Sequence, residues 1–567
     1  MRTNTQELPL RDLVLGFSQG RFPLPQFQRD YVWKPRQILN LLDSLARSFP
    51  VGGFYLWRPT QGTKLDAKAT ATGRSTVGAY FDGYLIDGQQ RLTSLEAAFG
   101  LNTASTKVEG LVECYLDLLA PWEGDGRDTK LFVSPAKNRA AEKRIAKADA
   151  TLISVSHFLR RPDPGARVDI QAMLRDLGRK AKQQEESLRN YDAAVSLLDH
   201  RIPVTTISEV ADADVIPVFA RLNKGGSSLR AGDVRAAELA RGRAGEVLRR
   251  IREFVVTDRP SRLGFGFSFA FRALVVFHRE SAQFSRLRGD WVDQKGPHDR
   301  SLLESWQATE RAISEALEFV DTRLGWCRKA LLPSANAMIV LAFALDKHRK
   351  IDDNSARLLT RWLCLTALRG VFQGSVESTI DRFIRAVKRS PGPAAVALVD
   401  DLKRDEGARI VEEDLRHYSP MWGAGTQIMM AWLVSRDAID WTGTDSLLDL
   451  ARGGPTSLPG GDLTVHHVVP RKLLADEARA EDANVIANYA LVSASSNSQF
   501  GDARPKDVYT SLTSDQRERA AVQFFGMEAG DRMAPERYDE FLEWRAGKLA
   551  DAWNDWLGLG PSGRNRS

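Results

Sequence analysis

Hydrophobic residues in the first 110 positions follow two different spacings. Over residues 8–19 and 35–48 they recur every three or four positions, a spacing that predicts two short amphipathic helices. Residues 51–57 and 79–86 are instead largely apolar runs near turn-forming residues, and such runs are typical of buried strands. This part of the chain is therefore predicted to mix helices and strands.

The pattern further along divides the chain into regions of different character. Strand-like runs at 111–119 and 202–207 flank a polar helical stretch at 168–200. Helical spacing then dominates from about 235 to 400, and strand-like runs return in the last third of the chain. A chain of 567 residues is also too long for one hydrophobic core. We therefore predict an α+β, multidomain protein with domains at 1–235, 236–405 and 406–567.

A polar turn follows the predicted strand at 79–86 and opens a helix. Asp87 and Gly88 have turn chemistry, because glycine tolerates a positive φ and aspartate can bond the following backbone. Gln89, Gln90 and Arg91 then stand at the helix start, where free N–H groups and the helix dipole favour an anion. The turn predicts a phosphate site, although the same residues also suit an ordinary solvated helix terminus.

Polar and aromatic residues alternate just before the second predicted helix. Gln28 and Arg29 are possible phosphate or base donors, and they lie beside Phe27, Tyr31 and Trp33. Aromatic rings with polar neighbours can stack a base and hydrogen-bond to it. Aromatic residues next to prolines can equally cover a hydrophobic core, so both interpretations remain open at this stage.

A third polar segment ends a predicted helix at a double glycine. Residues 218–229 contain Asn223 shortly before Gly225 and Gly226. The glycines can end the helix or let the backbone approach a ligand, and Asn223 lies where it can reach such a ligand.

Composition and charge exclude several classes of protein. Hydrophobic residues make up 43% of the chain and charged residues 27%, which is ordinary for a globular protein. No apolar run reaches the roughly 18 residues of a membrane span, so we expect a cytoplasmic protein with no membrane partner. The three cysteines are far apart in sequence and predict neither a disulfide framework nor a zinc site. A net charge of +6 is compatible with a nucleic-acid partner.

Two adjacent histidines in the last third form a second candidate site. His466 and His467 stand in a strand-like run before Pro470, and neighbouring strand residues point to opposite faces. One imidazole can therefore ligate a metal while the other acts as a general base on water. Asn488 and Asn497 follow, and a carboxamide oxygen is a suitable ligand for Mg²⁺ or Mn²⁺.

Both candidate sites resemble motifs of known families. The two histidines, Pro470, Asn488 and Asn497 resemble the HNH endonuclease motif, a ββα-metal fold. Residues 25–33, 86–91 and 219–226 resemble the ParB/sulfiredoxin-like domain of GmrSD-type proteins. This order of domains is similar to that of modification-dependent (type IV) restriction nucleases, which include the phosphorothioate-sensing nuclease of the Ssp anti-phage system. The resemblance implies a helical domain between the two.

The resemblance implies roles for the amino-terminal residues. It implies that an NTP binds and is hydrolysed at the Asp-Gly-Gln-Gln-Arg turn, with GTP as the first choice among GTP, UTP, CTP and ATP. The residues it places at that nucleotide are Asp87, Gly88, Gln89, Gln90, Arg91, Gln28, Arg29 and Asn223. The aromatic set Phe27, Tyr31 and Trp33 is the candidate surface that senses a DNA modification, with phosphorothioate and glucosylated hydroxymethylcytosine both compatible.

The resemblance likewise implies a metal-dependent nuclease centre. His467 would be the general base, His466 and Asn497 would hold the divalent cation, and Asn488 would brace the turn between the strands. Many relatives have an acid where this chain has His466, which leaves the identity of the metal open. The implied function is an anti-phage endonuclease of a restriction system, acting on double-stranded, modified DNA and possibly assembled as a homo-oligomer. The alternative is a ParB-like nucleotide-switch regulator with an inactive HNH domain.

Overall fold

The chain divides into two compact units, Met1–Arg241 and Gly242–Ser567. The computed structural model describes every residue except 26–27, 29–30, 60–66, 69–80, 102–111, 123–130, 137, 160–164, 211–243, 288–290, 348–350, 404–408, 454–461, 477–478, 526–531 and 560–567. The mixed α+β character predicted from the sequence is confirmed. The three predicted domains, with boundaries after residues 235 and 405, stay a prediction.

The first unit combines short strands with six helices in its described residues. Its strands are β1 (Arg2–Pro9), β2 (Leu24–Pro25), β3 (Phe54–Trp57), β4 (Ala67–Lys68), β5 (Tyr84–Asp87), β6 (Tyr115–Asp117), β7 (Phe132–Val133), β8 (Leu152–Ser154) and β9 (Arg201–Ser208). Its helices are α1 (Leu10–Ser18), α2 (Pro35–Ala46), α3 (Gln89–Ala98), α4 (Arg139–Ala146), α5 (Ala166–Asp176) and α6 (Ala181–Ser196).

A four-stranded sheet in the order β1-β9-β3-β5 presents the polar turn of the first unit. Strand β9 pairs antiparallel with β1 and parallel with β3, while β5 pairs antiparallel with β3. The buried faces of α1, α2 and α3 share one hydrophobic core with the sheet residues Phe54, Leu56 and Leu85. This core fixes the end of β5, where the polar turn begins.

Most predicted elements of the first unit are present, and the differences include the unpredicted strands β1, β2, β4, β7 and β8 and one divided helix. Strand β1 was not predicted, because residues 2–7 are polar and exposed and show no apolar alternation. Strand β1 is stabilised by its pairing with β9 at the edge of the sheet. The pairing runs from Arg2 opposite Ser208 to Pro9 opposite Arg201. The long helical stretch predicted at 168–200 is divided into α5 and α6 around Gly178, whose φ is +68°.

The second unit is mostly helical. Its helices are α7 (Gly245–Val255), α8 (Asp258–Arg262), α9 (Phe267–Arg279), α10 (Leu302–Leu324), α11 (Ala335–Lys347), α12 (Asp353–Leu368), α13 (Val376–Arg389), α14 (Ala394–Lys403), α15 (Glu412–Arg416), α16 (Ala424–Val434), α17 (Leu447–Arg452), α18 (Arg471–Asp476), α19 (Ala494–Phe500), α20 (Pro505–Ser511), α21 (Ser514–Phe524) and α22 (Tyr538–Trp556). The prediction of helical structure over 235–400 is confirmed for the described residues from Gly245 onward.

The strands of the second unit carry the histidine pair. Strands β10 (Leu463–His467) and β11 (Tyr489–Ser493) form a two-stranded antiparallel sheet in which His467 lies opposite Tyr489. Helix α18 follows β10 in the sequence, and helix α19 begins directly after β11. The strand-like run predicted before Pro470 is therefore present as β10.

Candidate functional site

The polar turn of the first unit requires glycine at position 88. Gly88 has a φ of +99° and stands immediately before the first residue of α3. A Cβ atom added to Gly88 would lie 2.1 Å from Cδ1 of Phe54, far inside van der Waals contact. Only glycine fits both this backbone conformation and this space. The turn therefore brings Gln89 and Gln90 to the positive end of the helix dipole.

Gln28 acts on the strand that feeds the turn. Its side chain is buried, and its Nε2 donates hydrogen bonds to the carbonyl oxygens of Leu85 and Ile86, each at 3.0 Å. A buried amide that bonds two consecutive carbonyls ties its own segment to the end of β5. The structure thus brings Gln28 to the turn, as the sequence predicted, but its described contacts are with the protein backbone.

Gln90 fixes the aromatic segment in the same way. Its Oε1 accepts hydrogen bonds from the backbone N–H groups of Val32, at 2.9 Å, and Trp33, at 3.3 Å. The Tyr31 hydroxyl lies 2.8 Å from the Ser94 hydroxyl, and burial raises the pKa of Tyr31 to about 12. Tyr31 and Trp33 are both half-buried. These contacts place the two predicted sensor residues beside helix α3.

The Arg91 guanidinium bonds to backbone carbonyl oxygens and is largely buried. Its guanidinium donates to the carbonyls of Val51, at 2.5 Å, and Gly53, at 2.8 Å. It also stands 4.7 Å from the ring centre of Phe54 and 3.6 Å from the Asp87 carboxylate. Burial lowers the pKa of Arg91, while the charge of Asp87 opposes that shift. The forked donor expected for phosphate therefore joins α3 to the start of β3.

Three predicted residues of the first unit lie outside the described residues. They are Phe27, Arg29 and Asn223. The described part of the predicted nucleotide site consists of Gln28 and the turn from Asp87 to Arg91.

The two histidines of the second unit face different surroundings. His466 is buried, with 4% of its surface exposed, and its Nδ1 lies 2.8 Å from Oδ1 of Asn497 on α19. The rings of Trp441 and Phe500 stand 5.8 and 5.9 Å from its ring centre. Burial lowers the pKa of His466 to about 4, so the imidazole is neutral at physiological pH. The predicted pair of His466 and Asn497 is thus brought together by β10 and α19.

His467 lies on the opposite face of β10 and is half-buried. Its Nε2 is 3.1 Å from Oδ1 of Asn484, and its ring stands 5.4 Å from that of Tyr489 at an angle of 70°. Burial lowers the pKa of His467, with the hydrogen bond to Asn484 opposing the shift. Sequence reasoning gave Asn484 no role, because the residue belongs to an irregular segment whose path only the fold reveals.

Asn488 braces the chain between the two strands. Its Oδ1 accepts from the N–H of Val469 at 2.8 Å, and its Nδ2 donates to the carbonyls of Val469 and Ala483 at 3.1 Å. The side chain is completely buried. These three bonds hold the segment after His467 against the segment before β11.

A buried arginine supports the same region from helix α22. Arg545 is fully buried and donates to the carbonyls of Ala487, at 2.6 Å, and Tyr489, at 2.7 Å. Desolvation lowers its pKa to about 9. Gln523 bonds both the N–H and the carbonyl of Leu491 at 2.8 Å. Sequence reasoning missed both residues, since an isolated Arg or Gln on an amphipathic helix gives no motif.

A buried carboxylate organises the start of helix α19. Asp440 accepts hydrogen bonds from the Ser493 N–H at 2.7 Å, the Ser493 hydroxyl at 2.8 Å and the Ser496 hydroxyl at 2.6 Å. Ser493 also caps the helix by accepting from the Ser496 N–H. Asn497 follows Ser496 directly, so Asp440 fixes the helix turn that presents Asn497 to His466.

The residues at this centre fit a divalent cation in part. A neutral imidazole nitrogen and a carboxamide oxygen are both suitable ligands, and ligands adjacent on an octahedral ion stand about 3 Å apart for bonds of about 2.1 Å. His466 Nδ1 and Asn497 Oδ1 are 2.8 Å apart, in agreement with that spacing. Among the described residues, no group of three or more His, Cys, Asp or Glu side chains converges.

Comparison with known proteins bears on the first unit. Residues 10–240 match the family model described as the GmrSD restriction endonuclease, N-terminal domain. The match covers less than half of the chain and shows that the first unit is similar to this domain. A search of curated proteins found no match. In the described part of the chain, no helix combines the length and apolar character needed to cross a membrane.

Proposed function

We propose that this protein is a defence endonuclease whose second unit hydrolyses DNA at the His466–His467 centre. The observation that carries the proposal is the pairing of His466 with Asn497 and of His467 with Asn484 on opposite faces of one strand. Strand β10 and helix α19 bring His466 and Asn497 together as an HNH motif would, and the irregular segment before β11 brings Asn484 to His467. The family match of the first unit supports DNA as the substrate.

The chemistry assigned to the centre is hydrolysis of a phosphodiester. A divalent cation held by His466 and Asn497 would stabilise negative charge on the phosphate in the transition state. His467 would accept a proton from the attacking water through a ring nitrogen that is not engaged by Asn484. Asn488 and Arg545 hold the backbone on both sides of these groups, which keeps the base in a fixed position.

For the first unit we infer an NTP site at the start of α3 that regulates cleavage. The left-handed Gly88 and the positive helix end favour a phosphate there, and Asp87 keeps 28% of its side chain exposed. Gln28, Gln90 and Arg91 would hold the frame of this site through their backbone contacts. Tyr31 and Trp33, tied to the same helix, would report on modified DNA.

The test follows supercoiled plasmid nicking and NTP hydrolysis in the same samples. Unmodified, phosphorothioate-containing and glucosylated DNA are compared, with each NTP and with Mg²⁺, Mn²⁺ or EDTA. We expect one modified DNA to stimulate both reactions and EDTA to abolish nicking. Nicking that ignores the modification would reject the sensor role while leaving the nuclease in place.

Variants of two histidines distinguish the nuclease hypothesis from the regulator hypothesis. His467→Ala should lower nicking about 10²- to 10⁴-fold, the usual contribution of a general base, and leave NTP hydrolysis intact. His417→Ala is the matched control, because its side chain is 72% exposed in the same unit. Wild-type protein that nicks none of these DNAs with either metal would instead favour a ParB-like nucleotide-switch regulator.

A further inference from the structure

Asn484 is the polar partner of His467 that no motif of the sequence assigns. Its Oδ1 lies 3.1 Å from His467 Nε2, within hydrogen-bonding distance. The carboxamide oxygen is only an acceptor, so a hydrogen bond to it requires the proton to be on Nε2. In a neutral imidazole this leaves Nδ1 as the nitrogen with the free lone pair.

The position of Asn484 is itself fixed by hydrogen bonds that involve Ser419 and Tyr489. The backbone carbonyl of Asn484 accepts from the Ser419 N–H at 2.8 Å, and the Tyr489 hydroxyl donates to the Ser419 carbonyl at 2.7 Å. Tyr489 is opposite His467 in the sheet and packs its ring edge to face against the imidazole. Two residues therefore hold the His467 imidazole: Asn484 contacts its Nε2, and Tyr489 packs against its ring.

We propose that Asn484 is a positioning residue that selects the tautomer of His467 and thereby makes Nδ1 the proton acceptor in DNA hydrolysis. This inference rests on the proposed nuclease function. It goes beyond that function by naming the acting nitrogen and the side chain that determines it. Asn484 touches neither water nor phosphate in this role and acts only through His467.

The direct test is ¹⁵N NMR of selectively histidine-labelled full-length protein at neutral pH, with the His467 signals identified by their loss in His467→Ala. We expect Nε2 to carry the proton and Nδ1 to resonate as the unprotonated nitrogen. Asn484→Leu, which keeps the size but loses the acceptor, should populate the other tautomer. Asn484→Asp keeps an acceptor and should preserve the wild-type pattern. A wild-type His467 with its proton on Nδ1 would overturn the proposal. In that state the Asn484 carboxamide is turned by 180°, so that its NH₂ group donates to an unprotonated Nε2.

Kinetics provide a second readout. Asn484→Leu should lower kcat for nicking about 10- to 100-fold, the usual effect of losing a partner that orients such a residue, with KM for DNA unchanged. Asn484→Asp should restore most of kcat. In the His467→Ala background, Asn484→Leu should have no further effect. An additional loss there, or wild-type kcat in the single variant, would show that Asn484 does not act through His467.

The NMR result does not depend on nicking. A nuclease that proves inactive therefore rejects the proposed function, whereas the wrong tautomer in an active nuclease rejects only the role of Asn484. Tyr489→Phe gives a graded comparison: it removes the bond to the Ser419 carbonyl and the longer bond, 3.4 Å, to Oδ1 of Asn484, but leaves the contact between Asn484 and His467. We therefore expect a smaller loss of kcat than in Asn484→Leu.

Discussion

The two polar clusters of this protein use their side chains in opposite ways. In the first unit, Gln28, Gln90 and Arg91 bond backbone groups of other segments and so hold the turn together. In the second unit, His466 and His467 bond the side chains of Asn497 and Asn484. A side chain that bonds backbone is committed to the fold, whereas two side chains that bond each other can exchange that contact for a ligand.

A polar motif is therefore not by itself a set of ligand contacts. The Asp-Gly-Gln-Gln-Arg turn is dense in polar residues, yet most of its described side-chain bonds are structural. The histidine centre draws its polar residues from separate segments, and its supports, Asp440 and Arg545, lie outside the motif. Substitutions in the first cluster should therefore act mainly on stability, and those in the second mainly on activity.

The largest effect should come from Gly88→Ala. The added Cβ would clash with the Phe54 ring, and alanine would have to adopt the positive φ of Gly88, which is strained for any residue with a Cβ. We therefore expect a loss of about 4 kcal/mol in the free energy of unfolding of the first unit. Hydrogen exchange followed by mass spectrometry should show faster exchange in β5 and α3. Unchanged protection of these segments would contradict a structural role for the turn. Gly178→Ala, a positive-φ glycine with open space around it, is the matched control.

Arg91→Ala should cost about 3 kcal/mol of stability. It leaves the buried carbonyls of Val51 and Gly53 without their donor and removes the cation from the Phe54 ring. Chemical denaturation of Arg91→Ala and of Arg58→Ala, an exposed arginine of the same unit, measures the difference. If Arg91→Ala instead abolished NTP hydrolysis at wild-type stability, Arg91 would act on the nucleotide directly and would not be a support of the site's frame.

Asn497→Ala should affect activity more than stability. Losing a proposed metal ligand should lower nicking about 100-fold, equivalent to about 2.7 kcal/mol, with a change in unfolding free energy below about 1 kcal/mol. Isothermal titration with Mn²⁺ should show weaker binding. Ser498→Ala, next to it on α19, is the control. A variant that binds Mn²⁺ normally would remove Asn497 from the metal centre.

The smallest effect concerns pH. Burial lowers the pKa of His278 in the folded second unit, where its Nδ1 lies 2.9 Å from the Ser305 hydroxyl. The unfolded chain, with a pKa near 6.5, takes up this proton first, so stability is full above about pH 6.5 and falls below it. The free energy of unfolding should fall between pH 7 and 5.5, and His278→Gln should remove this loss. Equal slopes in both proteins would contradict this assignment.

The sequence alone was informative where local chemistry dominates. The spacing of Ile38, Leu41, Leu42 and Leu45 determines helix α2, and Asp87 with Gly88 determines the turn before α3. The alternation of side chains along a strand predicts that His466 and His467 lie on opposite faces of β10. These features depend on residues a few positions apart, and their periodicity is visible in one chain.

Only the tertiary structure decided which atoms these side chains meet. Strand β1 exists because β9 pairs with it, and its own polar residues give no such signal. The partners of Arg91 and His467 come from segments about 40 and 17 positions away, and the bonds that hold them depend on how those segments pack. Burial likewise follows from packing, and it lowers the pKa of His466 to about 4. Local pattern thus determined the elements and the residue types of both clusters, while long-range packing decided that Gln90 and Arg91 bond backbone groups and that the two histidines bond side chains.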